Sequence, residues 1–494
     1  MSPFNRREFL QQSAGISAIL AGMSRGDFLS AAEPATAARR VGANDTLRVA
    51  VVGVNGRGMS HVGGFNNVNG CEIVTICDCD EAVIGKAMKA IEGKRGKAPK
   101  FEKDIRKVMD DKTIDIVAIA TPNHWHSLAA IWAMQAGKDV YVEKPVSHNV
   151  REGRIVVETA RKLGKICQAG TQSRSMPGMR EAMAYMHEGH LGKIGLSYAT
   201  CYKSRPSIGD VGRTKGEQAP PKSMDYDLWC GPAPLKMPHR NGKHGPVHYD
   251  WHWIWDYGNG DLGNQGIHEM DKARWGLNKS ELPRSVTSVG GRFGYIDDGE
   301  TANTQLSLFD YGDSKLIFEV RGLPTGDYKG AKVGNIFFGE KGLIVCPNYG
   351  GGFRTDLDGT KVQDFKGAGG DGNHFANFVK GVRSRKVEDL NGDILEGHLS
   401  SALCHLGNIS YRLGEEKAMS EVKHFTNDKA AIEAFGRMTQ HLQDNKVDLT
   451  KAIGRVGPTL SIDPKKEVFT AGHPKANEML FREYRKGFEV KEIA

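Results

Sequence analysis

Beyond residue 37 the sequence lacks any apolar run of membrane-spanning length, which would be about 20 residues. This argues against a membrane-embedded protein. The eight cysteines form no Cys-x-x-Cys pair and no zinc-like array, so neither a structural zinc site nor a disulfide framework is predicted. We interpret them mostly as small buried apolar side chains.

The sequence also lacks a concentration of charge of one sign. Its 67 basic and 59 acidic residues are interspersed, so the net charge of +8 does not predict binding to nucleic acid. The 61 glycines follow no collagen-like or low-complexity period. The composition is typical of a globular protein, and a length of 494 residues favours more than one domain.

The first residues resemble a twin-arginine export signal. Arg6 and Arg7 precede an apolar run at residues 14–22, and small residues at 30–32 and 35–37 offer cleavage points. We therefore expect residues 1–37 to be a signal peptide that is recognised by the twin-arginine translocase, and the mature protein to be periplasmic or otherwise exported. No cysteine lies nearby, so no permanent membrane anchor is expected. The alternative is a tail that holds two arginines by chance.

A glycine-rich turn follows the first predicted strand. The apolar run at residues 47–52 leads directly into GVNGRG, which fits G-x-G-x-x-G with Asn in the second glycine position. A turn of this kind at a helix N-terminus brings backbone N–H groups to a pyrophosphate. We expect it to hold a dinucleotide through Gly53, Asn55, Gly56, Arg57 and Gly58. The alternative is an ordinary glycine-rich turn.

An acidic residue occupies the position expected for a ribose contact. Residues 71–77 (CEIVTIC) have the character of the next strand, and Asp78 closes it 20 residues after Gly58. A carboxylate at this spacing accepts hydrogen bonds from the adenosine ribose hydroxyls and would repel a 2′-phosphate. We therefore expect NAD rather than NADP as the cofactor.

Further strand-like segments at 114–120, 139–142 and 166–170 alternate with predicted helices. Two polar clusters follow them, TPNHWH at 121–126 and EKP at 143–145. In a doubly wound parallel sheet, ligands bind at the carboxyl ends of the strands, where both clusters are predicted to lie.

ATPNHWH, together with VEKP about 90 residues after GVNGRG, resembles the glucose–fructose oxidoreductase, inositol dehydrogenase and MocA family of sugar oxidoreductases. The resemblance extends from about residue 47 to about residue 414. It implies that Lys144 lies beside the nicotinamide and the substrate. It also implies cofactor contacts by Thr121, Asn123, His126 and Glu143.

The family resemblance implies an α/β fold with two domains. We expect an N-terminal Rossmann domain with a doubly wound parallel sheet at 45–170, and a C-terminal α+β domain with an open, mainly antiparallel sheet at 171–425. Strand-like segments in the second region agree with this: 195–203, 285–293, 304–309, 315–320, 334–339 and 342–346. Residues 426–494 are predicted to be a C-terminal helical extension.

The second domain supplies candidates for proton transfer. His268 matches the acid–base histidine of the family, and Asp271 matches a later acidic position that we assign to substrate binding. Asn264 lies four residues before His268, so the two share a helix face. The family has Asp at this position, and Asn cannot take up a proton. Lys144 and His268 are therefore the expected proton carriers, and Asn264 is expected to orient the substrate.

Other residues of the second domain are candidates for substrate binding. Tyr249, Trp251, Trp253, Trp255 and Tyr257 alternate, so in an extended segment they would share one face, with His252 on the other. We interpret this face as a sugar-stacking wall to which Trp251 and His252 contribute. The alternative is a hydrophobic patch that closes the interdomain cleft. Tyr202, Lys203 and Arg205 at the end of a strand are further candidates, or else charges at a sheet edge.

These residues predict an exported NAD-dependent oxidoreductase that transfers a hydride to or from a sugar. Because nicotinamide cofactors are scarce outside the cell, we expect the cofactor to be tightly bound and recycled in place. One alternative is a redox-neutral, NAD-dependent glycoside hydrolase of the same family, and another is a non-catalytic sugar-binding protein. A homo-oligomer, dimer or tetramer, is expected because an open sheet face needs covering. His398 and His405 lack a third ligand, so no metal site is expected.

Overall fold

The first sheet places the predicted glycine turn and both polar clusters at one edge. The computed structural model describes residues 45–367, 369–470 and 472–493, and the predicted signal peptide at residues 1–37 lies outside these ranges. Within them, the sheet has six parallel strands in the order β3-β2-β1-β4-β5-β6. These are β1 (Leu47–Val52), β2 (Cys71–Cys77), β3 (Lys100–Glu102), β4 (Ile116–Ile119), β5 (Asp139–Val142) and β6 (Cys167–Ala169).

Helices connect these strands and bury both faces of the sheet. They are α1 (Arg57–Asn67), α2 (Gly85–Arg95), α3 (Ile105–Asp110), α4 (Asn123–Gln135) and α5 (Val150–Lys162). Every residue of β4 and β5 is buried, as expected for strands covered on both sides. The predicted doubly wound sheet is confirmed. Strand β3 was not predicted, because a strand of three residues, one exposed and two half-buried, carries no periodic signal.

The second sheet is mixed and mainly antiparallel, as predicted. Its main path is β14-β13-β12-β11-β7-β10-β9-β8-β16-β15, and β17 also pairs with β8. The pairing of β7 with β10 is parallel. The strands are β7 (Ile194–Cys201), β8 (Ser285–Gly291), β9 (Thr304–Asp310), β10 (Lys315–Arg321), β11 (Val333–Gly339), β12 (Gly342–Cys346), β13 (Gly352–Thr355), β14 (Lys361–Phe365), β15 (Glu415–Ala418), β16 (Ile453–Val456), β17 (Leu460–Asp463) and β18 (Val468–Phe469).

The remaining helices surround this second sheet. They are α6 (Pro177–His187), α7 (Val211–Lys215), α8 (Tyr226–Cys230), α9 (Ile267–Gly276), α10 (Asp371–Ser384), α11 (Ile394–Arg412), α12 (Lys429–Asp444) and α13 (Pro474–Glu478). Short 3-10 turns lie at Glu81–Val83, Gln172–Ser175, Asp250–Trp253, Val387–Asp389 and Met419–Glu421, and a π-helical turn spans Leu262–Gly266. None of the helices in the described residues has the length and apolar character needed to cross a membrane.

The two faces of the second sheet pack against different helices. On β10, Phe318 belongs to a core shared with α9 and α11, whereas the neighbouring Ile317 belongs to a core shared with α12. The chain's own helix α12 therefore covers part of the sheet face that we expected another subunit to cover. The homo-oligomer stays a prediction. The part of the sheet that α12 covers does not need a second subunit to bury it.

The C-terminal region is more than the predicted helical extension. Besides α12, residues 426–494 contribute β16 and β17, which both pair with β8, and the hairpin strand β18. The prediction failed because these strands have only two to four residues. Strands β16 and β17 form by pairing with β8, which is far away in sequence.

Candidate active site

A cavity of about 790 Å³ opens where β1, β2, β4 and β5 end. Its wall combines the glycine turn and both polar clusters with residues of the second domain. The predicted site residues that line it are Gly53, Asn55, Gly56, Arg57, Asp78, Thr121, Asn123, His126, Glu143, Lys144, Trp251, His252, Asn264 and His268.

The glycine turn has the close approaches that its glycines predict. Gly53 has a φ of +79°, and a Cβ there would lie 2.8 Å from the Ala120 carbonyl oxygen. A Cβ on Gly58 would overlap the Gly53 carbonyl, so Gly58 packs beneath the turn and does not line the cavity. Gly56 has a φ of +110°, whereas Asn55 does not adopt a positive φ. Gly56 thus supplies the conformation that the missing second glycine would give.

Asp78 joins this turn to the end of β2. Its carboxylate accepts hydrogen bonds from the backbone N–H groups of Val54 at 2.9 Å and Asp80 at 3.0 Å, and it also lines the cavity. Lys103 lies on the same wall, but its ammonium is paired with Glu81. A carboxylate beside a neutralised lysine suits a ribose diol better than a 2′-phosphate.

Buried Glu143 and partly exposed Arg57 form the centre of a polar network beside the turn. Arg57 Nε donates to Glu143 Oε1 at 2.8 Å, and its Nη1 donates to Asp371 at 2.5 Å. His61 Nε2 lies 3.1 Å from the same Glu143 oxygen, and Gln172 donates to it at 3.3 Å. Although burial opposes this, Arg57 and His61 hold the pKa of Glu143 well below its usual range. Sequence reasoning missed His61 and Gln172, which no motif marks.

Two histidines of the TPNHWH cluster form hydrogen bonds with the backbone of loops around the cavity. The two ring nitrogens of His126 lie 2.6 Å from the Pro145 carbonyl oxygen and 2.7 Å from that of Thr121, so His126 ties the two predicted clusters together. His124 Nε2 lies 2.9 Å from the Trp229 carbonyl oxygen. Thr121 Oγ1 and Asn123 Oδ1 are buried and have no hydrogen-bond partner, so they are free to bond a ligand in the cavity.

Lys144 meets the second domain at the π-helical turn that precedes α9. Its Nζ donates to the Asn264 carbonyl oxygen at 2.5 Å. Burial lowers the pKa of Lys144, while nearby Glu143 opposes that shift. His268 is 7% exposed, and its Nδ1 has no hydrogen-bond partner. Burial, with a further contribution from Lys144, holds the pKa of His268 well below its usual range, so its imidazole is neutral at pH 7.

Tyr349 is a cavity residue that the sequence did not reveal. It follows β12, its ring centroid lies 4.7 Å from that of His268, and its hydroxyl accepts a hydrogen bond from Gln265 at 2.7 Å. Only the pairing of β12 in the second sheet brings this loop to α9. A single Tyr in a glycine-rich loop carries no signal of that placement.

The prediction that the five alternating aromatic residues share one face is wrong. Residues Asp250–Trp253 form a 3-10 turn, so the five alternating aromatic residues point in different directions. Trp251 and His252 stack with ring centroids 3.6 Å apart and line the cavity with Tyr249. Trp253, in contrast, is buried beneath the Arg205 guanidinium.

The other predicted substrate residues do not line this cavity. The Tyr202 hydroxyl donates to Glu319, and Arg205 pairs with Asp261 at 2.6 Å. Asp271 is 1% exposed and accepts hydrogen bonds from Arg174 at 2.8 Å and Ser400 at 2.7 Å, while Lys203 is exposed. Partners far away in sequence hold the first three away from the cavity.

The two histidines of α11 have structural contacts. His398 Nε2 lies 2.9 Å from Glu467, and His405 Nε2 lies 3.1 Å from the Ser147 hydroxyl. Across the described ranges, no group of three or more His, Cys, Asp or Glu side chains is arranged to hold a metal ion.

Two family models match the chain. The model described as the NAD-binding Rossmann fold of an oxidoreductase family matches residues 47–171, and the model of that family's C-terminal alpha/beta domain matches residues 187–314. Together they span just over half of the chain.

Curated relatives match part of the sequence. The chain is 35% identical over 178 residues to glycosyl hydrolase family 109 protein 2 of Shewanella sp. (strain ANA-3), which is 34% of this chain and 39% of that protein. It is 36% identical over 127 residues to an alpha-N-acetylgalactosaminidase of Shewanella oneidensis, which is 25% of this chain and 28% of the enzyme. The match thus spans less than half of each relative.

Solved structures share the fold. The WlbA dehydrogenase from Bordetella pertussis, in complex with NADH and UDP-GlcNAcA, superposes with a TM-score of 0.54 at 20% identity, covering 74% of this chain and 97% of that one. GenD2 from gentamicin A biosynthesis, in complex with NAD, gives a TM-score of 0.53 at 16% identity, covering 74% and 93%. At these identities the likeness shows the fold alone.

Proposed function

Because the chain belongs to the glucose–fructose oxidoreductase, inositol dehydrogenase and MocA family, we propose that it is an NAD-dependent oxidoreductase acting on a sugar or sugar derivative. The observation that carries this proposal is the single cavity that joins the glycine turn to Lys144 and His268. A dinucleotide-binding turn and two proton carriers in one cavity are what hydride transfer to or from a hydroxyl-bearing carbon requires.

The residues present fit NAD. The glycine turn at the start of α1 would hold the pyrophosphate, and Asp78 would bind the adenosine ribose. The unpartnered atoms Thr121 Oγ1, Asn123 Oδ1 and Arg57 Nη2 offer further polar contacts in the same cavity. When bound, NAD takes up a hydride from a carbinol carbon and NADH returns one.

The chain's own residues would move the accompanying proton. Neutral His268, with its Nδ1 unpartnered, would take the proton of the reacting hydroxyl. Lys144, whose pKa burial lowers, would stabilise the developing alkoxide or share its proton. Asn264 lines the same cavity and would orient the substrate through its side-chain amide while its backbone oxygen holds Lys144.

A chain segment covers part of the cavity, which would help to retain a bound cofactor. The segment from 221 to 257 lies across the adenosine end, where His248 contacts Asp80 at 2.8 Å and Leu228 and Trp229 line the wall. Together with Arg6 and Arg7 in the predicted signal, this supports our proposal of an enzyme exported by the twin-arginine translocase with its cofactor already bound.

A second candidate is a redox-neutral glycoside hydrolase. The sequence similarity to glycosyl hydrolase family 109 proteins favours it. In such an enzyme the cofactor ends each turnover in its starting state, so no separate hydride acceptor would be needed. His268 and Lys144 would serve the same proton transfers in both candidates.

We also propose that the protein forms a homo-oligomer, a dimer or a tetramer. On the α12 side of the second sheet, Phe338, Leu343 and Phe353 of β11–β13 remain half-buried. Apolar side chains on this strip would support contact with another copy.

An assay that follows the cofactor and the substrate together tests the proposed function. Purified full-length protein is mixed with a panel of free sugars and aryl glycosides, while nicotinamide absorbance and aglycone release are followed together. Reduction of bound cofactor by a free sugar supports the oxidoreductase. Steady aglycone release without net reduction supports the hydrolase. Saturable sugar binding that is unchanged in Lys144→Met, with no turnover in either protein, would instead support a non-catalytic sugar-binding protein.

A further inference from the structure

A second cavity of about 460 Å³ lies between α12 and the loop that joins β10 to β11. It is separate from the candidate active site and shares none of its lining residues. Its lining includes Arg321, Asp327, Tyr328, Arg437, His441 and Asp444.

Helix α12 turns a polar face towards this loop. Arg437, Gln440, His441 and Asp444 are spaced three, four and seven residues apart, so they lie along one stripe of the helix. An apolar stripe at this spacing would be expected to pack against the loop. Here the stripe lines a cavity with hydrogen-bonding groups.

His441 presents an unused N–H donor. It is 3% exposed, and its Nδ1 lies 3.2 Å from Asn445 Nδ2. That nitrogen is a donor, because it also bonds the Pro324 carbonyl oxygen at 3.0 Å and the His441 carbonyl oxygen at 2.9 Å. The two hydrogens of this amide are directed at those carbonyl oxygens, so a proton on Nδ1 would be directed at a donor nitrogen. The ring proton is therefore on Nε2, which is buried without a partner. Burial lowers the pKa of His441 to about 4, so the ring is neutral at pH 7.

Arg437 presents a second unused donor. Its guanidinium lies 4.3 Å from the Tyr328 ring centroid and 5.4 Å from that of Tyr198, so aromatic rings hold it in place. Its Nε is buried and has no hydrogen-bond partner. A buried N–H donor without an acceptor is costly, so both Arg437 and His441 favour a ligand oxygen.

The remaining charges are divided between the floor and the rim of the cavity. Arg321 is balanced by buried Glu319 at 2.7 Å, which also accepts hydrogen bonds from the Tyr198 and Tyr202 hydroxyls. Asp327 and Asp444 are exposed at the rim, where each carboxylate still has an oxygen available as an acceptor. The floor thus offers N–H donors and the rim offers acceptors.

We propose that this cavity binds a small hydroxy-carboxylic acid of the sugar-acid type. The ligand's carboxylate would accept from Arg437 Nε and His441 Nε2, and its hydroxyl groups would donate to Asp327 and Asp444. The rim carboxylates repel a dianion, so inorganic phosphate would bind less well. This inference does not depend on the reaction proposed for the first cavity.

Calorimetric titration of the full-length protein with glucuronate tests the proposal. We expect saturable binding that weakens at least about tenfold in Arg437→Gln and in His441→Leu, because each loses a hydrogen bond to a charged group. His441→Gln keeps an N–H near the Nε2 position and should bind within about threefold of the unmodified protein. The matched control is Lys429→Gln, an exposed change on the same helix but outside the cavity. Glucose, which lacks the carboxylate, should not bind at this site.

Several outcomes would overturn the proposal. One is failure of glucuronate to bind the unmodified protein. Another is equally tight binding to Arg437→Gln and His441→Leu, which would place the glucuronate elsewhere. Phosphate binding as tight as that of glucuronate, and lost in the same variants, would show a general anion site. Thermal unfolding of each variant is measured alongside. If His441→Leu does not fold, the test rests on Arg437→Gln, because Arg437 is half-exposed and its replacement disturbs the core less.

Discussion

Lys144 is the residue on which the proposed chemistry most depends. Replacing it with Met removes the proton donor and the contact with the Asn264 carbonyl oxygen. We expect turnover to fall about 10³-fold while bound nucleotide is retained, since acid–base groups contribute factors of about 10² to 10⁴. Turnover number and nucleotide content are measured together, with Lys89→Met on exposed α2 as the control. Undiminished turnover in Lys144→Met would contradict this role.

The pH dependence of the reaction tests His268. Because its pKa lies well below the usual range, the base is already unprotonated at neutral pH, and the acid limb of kcat/KM should lie below pH 6.5. Asn264→Asp adds a negative charge to the same cavity, which stabilises the protonated imidazole and raises the pKa of His268. We therefore expect the acid limb to move to higher pH. An unshifted pH–rate profile in this variant would show that His268 is not the titrating base.

At the residue scale, the position of a side chain in the cavity could be predicted where the signal was local. Gly53, Asp78 and Lys144 belong to short motifs at strand ends, and parallel strands bring such ends together regardless of the details of packing. Tyr202 and Asp271 were misplaced because Glu319 and Arg174, which bond them, lie far away in sequence. Tyr349 was missed for the same reason.

Among the elements, α12 has the clearest measurable role. Met438 is fully buried between this helix and the second sheet. Met438→Ala should lower the free energy of unfolding by about 2 to 5 kcal/mol, because it leaves a cavity in that core. Ile432→Ala, at a position 38% exposed on the same helix, should cost much less. Urea denaturation measures the free energy of unfolding of both variants. Equal decreases would show that the packing of α12 on the sheet does not stabilise the protein.

Element types were predictable where the pattern was long. The strands from β7 to β12 have five to eight residues, and a segment of strand character was predicted from sequence for each of them. The strands β3 and β16–β18 have two to four residues and form because an existing edge accepts them. The 3-10 turn at Asp250–Trp253 shows the converse, since an alternating sequence does not require an extended backbone.

At the scale of the whole molecule, the C-terminal tail ties distant parts together. Phe488 packs against Trp125 on α4 with ring centroids 5.7 Å apart, and Arg485 donates to the Gly231 carbonyl oxygen at 3.2 Å. The tail thereby holds the segment that covers the Asp78 end of the cavity. No sequence motif marks it, because its role depends on contacts that exist only in the folded chain.

If the cofactor is captive, loosening this tail should release it. Phe488→Ala removes the ring that packs on Trp125 and Trp132, so we expect faster loss of bound nucleotide than from the unmodified protein. Phe481→Ala, at a position in the same tail that is 54% exposed, should leave the release rate nearly unchanged. Rates are followed by dilution and filtration of the nucleotide-loaded protein. Identical rates in both variants would exclude a retaining role for the tail.

The proposed function requires that this protein carry a nicotinamide dinucleotide between its glycine turn and Lys144. The most direct test is to purify the full-length protein, denature it, and measure released nucleotide by mass spectrometry. We expect NAD or NADH in about one-to-one ratio with the chain. Absence of any nucleotide, together with failure to bind added NAD, would contradict it.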